Sequence, residues 1–206
     1  MTMSEPQVKL NPAQSLIFEP VSWVERLPLS SVFQTRAPLE VELGAGDGSF
    51  LVQWAALHPE VNFLGVERLL GRLRKIGRKA NRARLTNLRL MRIEAAYFVE
   101  YLLPSNSVSA LHIYFPDPWP KRKQRKNRLV ETRFLEAVGN ALTPGGTVYL
   151  RTDDRDYFGQ MIDRFGKNDR FEQTEPPGEL RSVLTDFERG FLARGVETLH
   201  AAYRRK

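Results

Sequence analysis

The sequence predicts an α/β protein with a doubly wound, mostly parallel sheet, and two observations lead to this prediction. Short apolar segments alternate with segments of helical periodicity from residue 39 to residue 166. Strands and helices that alternate in this way form parallel strands joined by right-handed helical crossovers. Beyond residue 166 the alternation ends, and we expect the final apolar segment to add an antiparallel C-terminal strand.

Each element is assigned from its apolar pattern and its length. The predicted strands cover residues 39–43, 61–67, 88–93, 108–115, 146–152, 171–175 and 196–203. The predicted helices cover residues 48–57, 68–84, 95–103, 130–142, 154–166 and 183–194. With the first five strands in the order 3-2-1-4-5, strands 1 and 4 flank the point where such sheets bind ligands.

Composition narrows the class of protein. The 206 residues predict one domain, with residues 1–36 as an N-terminal lead-in. Cysteine is absent and the three histidines are far apart in sequence, so we expect no disulfide, no cysteine nucleophile and no metal site. No apolar run reaches membrane-spanning length and no signal-peptide core is present. We expect a cytoplasmic protein, either a monomer or a homodimer, that does not bind membranes.

Positive charge is concentrated in two segments. Residues 68–93 contain ten Lys or Arg and no acid, and residues 121–128 contain six more, again without an acid. The rest of the chain has fifteen basic and twenty-four acidic residues. This distribution indicates a surface that binds a polyanion. For the helix predicted at 68–84 two interpretations stay open, a solvated helix surface or a contact with RNA.

The segment VELGAGDGSF at 41–50 lies between a predicted strand and a predicted helix, the usual context of a nucleotide-binding turn. Gly44, Gly46 and Gly48 allow the backbone to turn tightly and to approach a ligand closely. A dinucleotide fingerprint has its third glycine where this chain has Ser49. The spacing therefore disfavours a dinucleotide cofactor.

Three acidic residues near this turn indicate which cofactor it suits. Glu42 and Asp47 would repel a pyrophosphate, whereas they would attract the sulfonium and ammonium groups of S-adenosylmethionine. Glu67 follows the second strand, 21 residues after Gly46, where a carboxylate can accept hydrogen bonds from adenosine ribose hydroxyls. The alternative, a glycine-rich turn without a ligand, leaves Glu67 in this register unexplained.

The segment FPDPWPKRKQRKNR at 115–128 joins a proline-braced carboxylate to a basic strip. Phe115, Asp117 and Trp119 each precede a proline, so we expect all three in extended conformations. The segment leaves the carboxyl end of the fourth strand, and Asp117 should face the glycine loop across one cleft. The simpler alternative is that Asp117 only shapes a turn.

Together these motifs resemble the tRNA (guanine-N7-)-methyltransferase family, from about residue 38 onward. FPDPWPK is similar to the family's most specific signature, and VELGAGDG, GVE at 65–67, RTDD at 151–154 and TDFE at 185–188 are similar to its other motifs. The resemblance implies a Rossmann-like class I methyltransferase fold that uses S-adenosylmethionine and releases S-adenosylhomocysteine. It also implies methylation of guanine N7 at position 46 of the tRNA variable loop.

The resemblance implies site residues by position. The cofactor contacts are Glu42, Glu67, Glu94 and Asp117 beside the loop residues Gly44, Gly46 and Gly48, and Asp117 is also the catalytic acid. The substrate contacts are Lys121, Asp153, Thr185, Asp186, Phe187 and Glu188. The stretch in contact with RNA is Lys123, Gln124, Arg125, Lys126, Asn127 and Arg128.

The sequence departs from the family at two points, and other roles compete for some residues. Residue 94 is more often Asp or Asn in the family, and ERLLGRL replaces a proline–glycine pair after the ribose-binding acid. Asp153 is also a candidate helix cap. Thr185 and Glu188 have the spacing of a capping box.

Three other functions remain as alternatives. The first is methylation of another RNA base or of protein, although adenine-N6 enzymes have a different proline motif after the fourth strand. The second is a non-catalytic RNA-binding scaffold, against which the acids Glu42, Glu67 and Asp117 argue. The third, an NAD-dependent oxidoreductase, is disfavoured by Ser49 and by the acids around the loop.

Overall fold

In a computed structural model that describes residues 16–206, the chain forms a seven-stranded sheet with helices packed against it. The strands are β1 Leu39–Leu43, β2 Asn62–Val66, β3 Leu88–Met91, β4 Val108–Tyr114, β5 Leu142–Thr152, β6 Phe171–Thr174 and β7 Leu199–Arg205. The helices are α1 Leu29–Val32, α2 Ser49–Leu57, α3 Leu70–Arg82, α4 Ala95–Tyr97, α5 Thr132–Ala141, α6 Arg155–Gly166, α7 Gly178–Ser182 and α8 Asp186–Leu192. A π-helical segment, Phe98–Leu102, continues α4, and Arg122–Asn127 forms a 3₁₀ helix.

The strand order is β3-β2-β1-β4-β5-β7-β6, which confirms the predicted order of the first five strands. These five are parallel, as the helical crossovers between them require. β7 runs antiparallel to β5, which confirms the predicted antiparallel C-terminal strand. β6 pairs with β7 at the outer edge. The strands β1 to β3 are added towards one edge of the sheet, and β4 and β5 are added on the other side of β1. Sheets of this kind bind ligands in the crevice at the point where the strand order reverses, which here lies between β1 and β4.

Helices cover both faces of the sheet, so successive residues of the central strands alternate between two apolar clusters. In β2, Phe63 belongs to the cluster that contains Phe50 and Leu73 of the helices on one face, and Leu64 belongs to the cluster that contains Phe134 on the other. All five residues of β2 are buried. A strand that is covered on both faces carries a continuous apolar run, which is why this segment was recognisable in the sequence.

The lead-in contributes to the edge of the sheet. Ile17 forms a parallel bridge with Leu90 of β3, and the Phe18 N–H donates to the Leu90 carbonyl at 2.7 Å. Residues 1–15 of the predicted lead-in lie outside the described residues. The assignment of the whole chain to one domain stays a prediction.

The helix predicted at 183–194 is wrong in its extent. The structure has α7 and α8 in this region, separated by a break before Thr185. The Thr185 hydroxyl accepts the Glu188 N–H and the Glu188 side chain accepts the Thr185 N–H, so the two residues form a capping box that starts a new helix. The spacing of these two residues was visible in the sequence, but the break before them was not assigned.

Candidate active site

A cleft of about 670 Å³ opens at the carboxyl ends of β1, β2, β3 and β4. It is lined by Gly44, Glu67, Glu94 and Asp117, four of the residues expected around the cofactor. They come from four separate loops, each placed by the strand before it. Neither Gly46 nor Gly48 lines the cleft directly, and both lie farther along the same loop.

The glycine loop has the backbone conformation that the sequence predicted. Gly44, Gly46 and Gly48 have φ angles of 78°, 55° and 72°, in the left-handed region that favours glycine. A Cβ atom at Gly48 would lie 2.7 Å from Ile76 Cγ1 of α3, so a larger residue there would require the Ile76 side chain or the loop to shift. The three glycines let the loop turn from β1 into α2 while it packs against α3.

Glu67 holds the glycine loop in place. Its side chain is 6% exposed; Oε2 accepts the Gly46 N–H at 3.1 Å and Oε1 accepts the Leu69 N–H at 2.8 Å. Two backbone donors thus fix the direction of the carboxylate. Each carboxylate oxygen accepts more than one hydrogen bond, so both retain capacity for the hydroxyls of a ribose.

Glu42 is a buried carboxylate beside the loop. It is 4% exposed, and its Oε2 has no hydrogen-bond partner. Burial raises the pKa of Glu42 well above its usual value; the positive charge of Arg151 opposes this shift, and the negative charges of Asp47 and Glu67 add to it. A group with an unpartnered oxygen among other carboxylates is suited to a cationic ligand and unsuited to a pyrophosphate.

We expect that Glu42→Gln raises the free energy of unfolding at pH 7 and weakens binding of S-adenosylmethionine. Because the folded state raises this pKa, the unfolded chain ionises first, and the native state loses stability as pH rises above the ordinary glutamate pKa of about 4.3. Glutamine has no charge and escapes this penalty. Urea unfolding of both proteins without cofactor at a series of pH values measures the difference.

The control for this measurement is Glu136→Gln, because Glu136 is an exposed residue of α5. Its unfolding free energy should follow the unsubstituted protein at every pH. At a pH below the glutamate range, Glu42→Gln should also match the unsubstituted protein. A Glu42→Gln protein that is less stable at pH 7 would contradict the assigned cost of the buried charge.

Glu94 is exposed at the rim of the cleft and caps α4. Its Oε1 accepts the Ala96 N–H at 2.9 Å, and its Oε2 accepts the Tyr97 N–H at 2.7 Å. The carboxylate therefore has a structural role at the start of the helix. Its position beside Ala95 and Ala96, which also line the cleft, is compatible with an additional contact to a bound adenine.

The proline-rich segment lies along the cleft, but its expected extended conformation is wrong at two positions. Phe115 and Trp119 have φ angles of 51° and 43°. Residues other than glycine rarely adopt such angles, and they persist where neighbouring contacts hold them. The Phe115 N–H donates to the Arg151 carbonyl at 2.8 Å, and its ring packs 5.5 Å from that of Phe191. These contacts bend the segment over the cleft, where Asp117 is exposed.

The basic strip divides into exposed residues and one buried residue. Lys121, Lys123, Lys126 and Asn127 are exposed, and the last two line the cleft. Gln124 and Arg125 also lie on the 3₁₀ helix. Gln124 is half-buried. Arg125 is exposed, and its guanidinium lies 3.2 Å from the carboxylate of Asp156.

Arg128 differs from the rest of the strip, because its guanidinium is buried and already donates to three protein partners; the expected RNA contact at this residue stays a prediction. It donates to the Pro118 carbonyl at 2.7 Å, to Gln160 Oε1 at 2.6 Å and to Asp156 Oδ2 at 2.5 Å. It also lies 4.8 Å from the centre of the Tyr157 ring. Arg128 thus fastens the residue after Asp117 to α6.

Two of the residues expected to contact substrate are also buried in internal contacts. Glu188 is fully buried, and its Oε2 accepts Arg151 Nη1 at 2.8 Å. Thr185 is 6% exposed and caps α8. Both side chains therefore have structural roles in this structure, and the expected substrate contact at each stays a prediction.

The neighbouring positions remain accessible. Phe187 is 54% exposed, and its ring edge is 4.0 Å from the point where a Cβ on Gly46 would lie. The Asp186 N–H donates to Ser49 Oγ at 2.8 Å, which joins α8 to the glycine loop. Asp153 is exposed at the end of β5. The helix cap considered for Asp153 is instead Asp154, whose side chain accepts the Tyr157 N–H.

Sequence reasoning missed Arg151, which organises this region. Its guanidinium is buried, donates to the carbonyls of Leu180 and Val183, and lies 4.3 Å from the centre of the Tyr114 ring. A charged residue inside the apolar strand GTVYLRT was the available signal, since buried arginines require partners. Within residues 16–206 no group of side chains has the composition of a metal site. In the same range, no helix is both long enough and apolar enough to cross a bilayer.

Comparison with known proteins agrees with this geometry. Residues 36–201 match the family model described as "Putative methyltransferase". A 30S ribosomal A1408 methyltransferase from an uncultured bacterium has a similar solved structure, with a TM-score of 0.61 at 18% identity over 86% of this chain and 92% of that one. At this identity the likeness concerns the fold alone.

Curated relatives identify the family more closely. The tRNA (guanine-N(7)-)-methyltransferase of Syntrophotalea carbinolica is 36% identical over 86% of this chain and 78% of its own length. The protein of the same name from Chromohalobacter salexigens is 38% identical over 86% of this chain and 74% of its own length. The chain therefore belongs to the tRNA (guanine-N(7)-)-methyltransferase family.

Proposed function

We propose that the protein transfers a methyl group from S-adenosylmethionine to N7 of guanine in tRNA, at position 46 of the variable loop. The observation that carries this proposal is the common cleft of Gly44, Glu67 and Asp117, continued by the exposed residues Lys126, which is basic, and Asn127, a hydrogen-bonding amide. The names of the curated relatives support the substrate class.

The residues around the glycine loop fit S-adenosylmethionine. Glu42 does not line the cleft itself, but it is buried beside the loop with one oxygen that has no hydrogen-bond partner, and this oxygen would accept from a cationic ligand. Glu67 and Glu94 line the same cleft, where the first would accept hydrogen bonds from the ribose and the second would contact the adenine. When bound, this cofactor supplies an electrophilic methyl group.

The rest of the site needs no strong base. Guanine N7 is neutral at pH 7 and has an in-plane lone pair, so no proton must leave before it reacts. Alignment of the reacting atoms then supplies most of the rate enhancement, up to about 7–11 kcal/mol in favourable cases. Asp117 accepts hydrogen bonds from the N–H groups of the guanine and so orients the base. Its negative charge opposes the positive charge that develops on the guanine ring.

Exposed residues around the cleft are suited to hold the RNA. Phe115 and Trp119 line the cleft and offer ring faces to an unstacked base. Lys121, Lys123 and Lys126 are exposed and would contact phosphates. Asp153, Asp186 and Phe187 complete the proposed substrate contacts.

The test incubates the protein with labelled S-adenosylmethionine and unmodified tRNA, then maps the methyl group by cleavage chemistry specific for 7-methylguanine. We expect label at the guanine of position 46 and none when that guanine is replaced by adenine. Methylation of another RNA base would refute the assignment. Cofactor binding without transfer to any RNA would favour the non-catalytic scaffold. The cytoplasmic location and the monomeric or homodimeric state stay predictions.

A further inference from the structure

The exposed face of α3 is cationic along its whole length. Its apolar face is buried, since Leu73, Ile76 and Ala80 are 0% exposed. The side chains directed away from the core are Arg72, Arg74, Lys75, Arg78, Lys79 and Arg82. Among residues 68–93, which include this helix and its flanks, no acid is present.

Part of this charge is neutralised by the cofactor loop. Lys75 Nζ and Lys79 Nζ lie 3.1 Å and 2.6 Å from Asp47 Oδ2. Arg72 Nη1 lies 3.7 Å from Glu67 Oε2. These cations help to hold the loop that receives the cofactor.

The rest of the positive charge on α3 has no acidic partner within residues 16–206. Arg74, Arg78 and Arg82, which we call the arginine row, are exposed and form no ion pair within residues 16–206. They follow one another at intervals of four residues, at which like charges on a helix repel each other and destabilise it by about 0.2–0.5 kcal/mol per pair. The helix dipole compensates for a cation in the last turn, where Arg82 lies, but not for Arg74. A face that only keeps the helix solvated would be expected to alternate bases with acids.

The position of α3 connects the row to the active site. Arg68, two residues before the helix, and Arg72, in its first turn, line the 670 Å³ cleft. Lys79 and Arg82, near its end, line a second cavity of about 310 Å³ together with Arg189 of α8. The thirteen residues of α3 span about 20 Å. A polyanion that occupies the cleft can therefore continue along the helix without leaving the positive surface.

We propose that the arginine row binds the phosphate backbone of the tRNA substrate, as a second contact surface separate from the basic strip at 121–127. This inference rests on the proposed function, and it extends the RNA footprint beyond the cleft. Successive members of the row are about 6 Å apart along the helix axis, a spacing that suits consecutive phosphates of one strand. Arginine is also the side chain best suited to phosphate recognition.

The structure favours RNA over an anionic membrane as the partner. A helix that lies in a membrane interface inserts an apolar face into the lipid. In α3 that face is already packed in the core against the sheet, so only charge remains outside. A surface of this kind attracts a polyanion through counterion release and has nothing to insert into a bilayer.

The test compares two triple variants that remove the same number of positive charges. One is Arg74→Gln, Arg78→Gln, Arg82→Gln in the arginine row; the control is Arg155→Gln, Lys167→Gln, Arg204→Gln, exposed residues that each pair with an acid. Binding of unmodified tRNA is measured between about 50 and 200 mM salt. We expect the row variant to bind about tenfold or more weakly, with a plot of log K against log salt shallower by about 2–3 units.

Kinetics separate this inference from the proposed function. The row variant should have a raised KM for tRNA, an unchanged kcat at saturating tRNA and an unchanged affinity for S-adenosylmethionine. Equal salt slopes for the row variant and the unsubstituted protein would overturn the inference. An equal loss of tRNA affinity in the control variant would also overturn the inference, since the net charge of the protein and not the position of the charges would then determine binding. So would binding to phosphatidylserine vesicles that depends on the row while tRNA binding does not.

The two proposals fail in different ways. If the unsubstituted protein transfers no methyl group to tRNA, the proposed function fails, but the salt slopes still show whether the row binds RNA. If methylation occurs and the row variant matches the unsubstituted protein in KM, only the row assignment fails.

Discussion

Asp117→Ala is expected to lower kcat for methyl transfer to tRNA by about 10²–10³-fold, the usual effect of removing one electrostatic contact to a transition state. Asp117 is exposed in the cleft, on a segment held by the hydrogen bond from Arg128 to the Pro118 carbonyl. Affinity for S-adenosylmethionine should change little, because Glu42 and Glu67 remain. Single-turnover kinetics and equilibrium binding of the cofactor measure the two effects separately.

Two variants control this experiment. Asp117→Asn keeps the shape and one acceptor oxygen but loses the charge, so its rate separates orientation of the guanine from stabilisation of positive charge. Asp169→Ala removes an exposed acid before β6 and should leave the rate unchanged. Unchanged turnover in Asp117→Ala would refute the catalytic role assigned to this residue.

Arg151→Met is expected to lower the free energy of unfolding by about 3–5 kcal/mol, because it leaves the carboxylate of Glu188 buried without its partner. Arg151 and Glu188 have side chains 3% and 0% exposed, at 2.8 Å from each other. The substitution also removes the donor to the carbonyls of Leu180 and Val183, so α7 should loosen. Urea unfolding without cofactor measures the loss.

A double variant and an exposed pair complete the test. Arg151→Met with Glu188→Met should be more stable than Arg151→Met alone, because no isolated charge is left inside. Arg155→Gln breaks the exposed pair with Glu197 and should cost less than about 1 kcal/mol. A loss in Arg151→Met no larger than that in Arg155→Gln would contradict the structural role of the buried pair.

Much of the fold was predictable because buried parallel strands leave a strong local signal. The segment at 39–43 alternates apolar residues with glutamates, and the segment at 61–67 is mostly apolar. They form β1 and β2, with bounds that differ from the predicted ones by at most one residue. The position of β4 beside β1 was expected from the strand order of a doubly wound sheet, the fold class that the alternation of elements predicted. The region of α7 and α8 was not predictable to the same degree, because the contacts that divide it come from Arg151, some thirty residues earlier.

The candidate site was predictable in the residues that a turn or a strand end positions directly. Gly44, Glu67 and Asp117 come together because each follows a strand whose carboxyl end lies at the same edge of the sheet. Arg128 and Glu188 could not be assigned from the sequence. A charged residue looks the same in a basic strip or a helix cap whether it faces solvent or the interior.

By itself, the sequence determined the sheet, the glycine turn, the acids at the strand ends and the family resemblance, because each depends on residues close together in the chain. Only the tertiary structure decided which charged side chains are exposed and can contact a ligand. It buried Arg128 and Glu188 against α6 and Arg151, and it left Arg74, Arg78 and Arg82 exposed and unpaired in the described part of the chain. The reason is physical: the burial of a charge depends on partners that folding brings from distant segments.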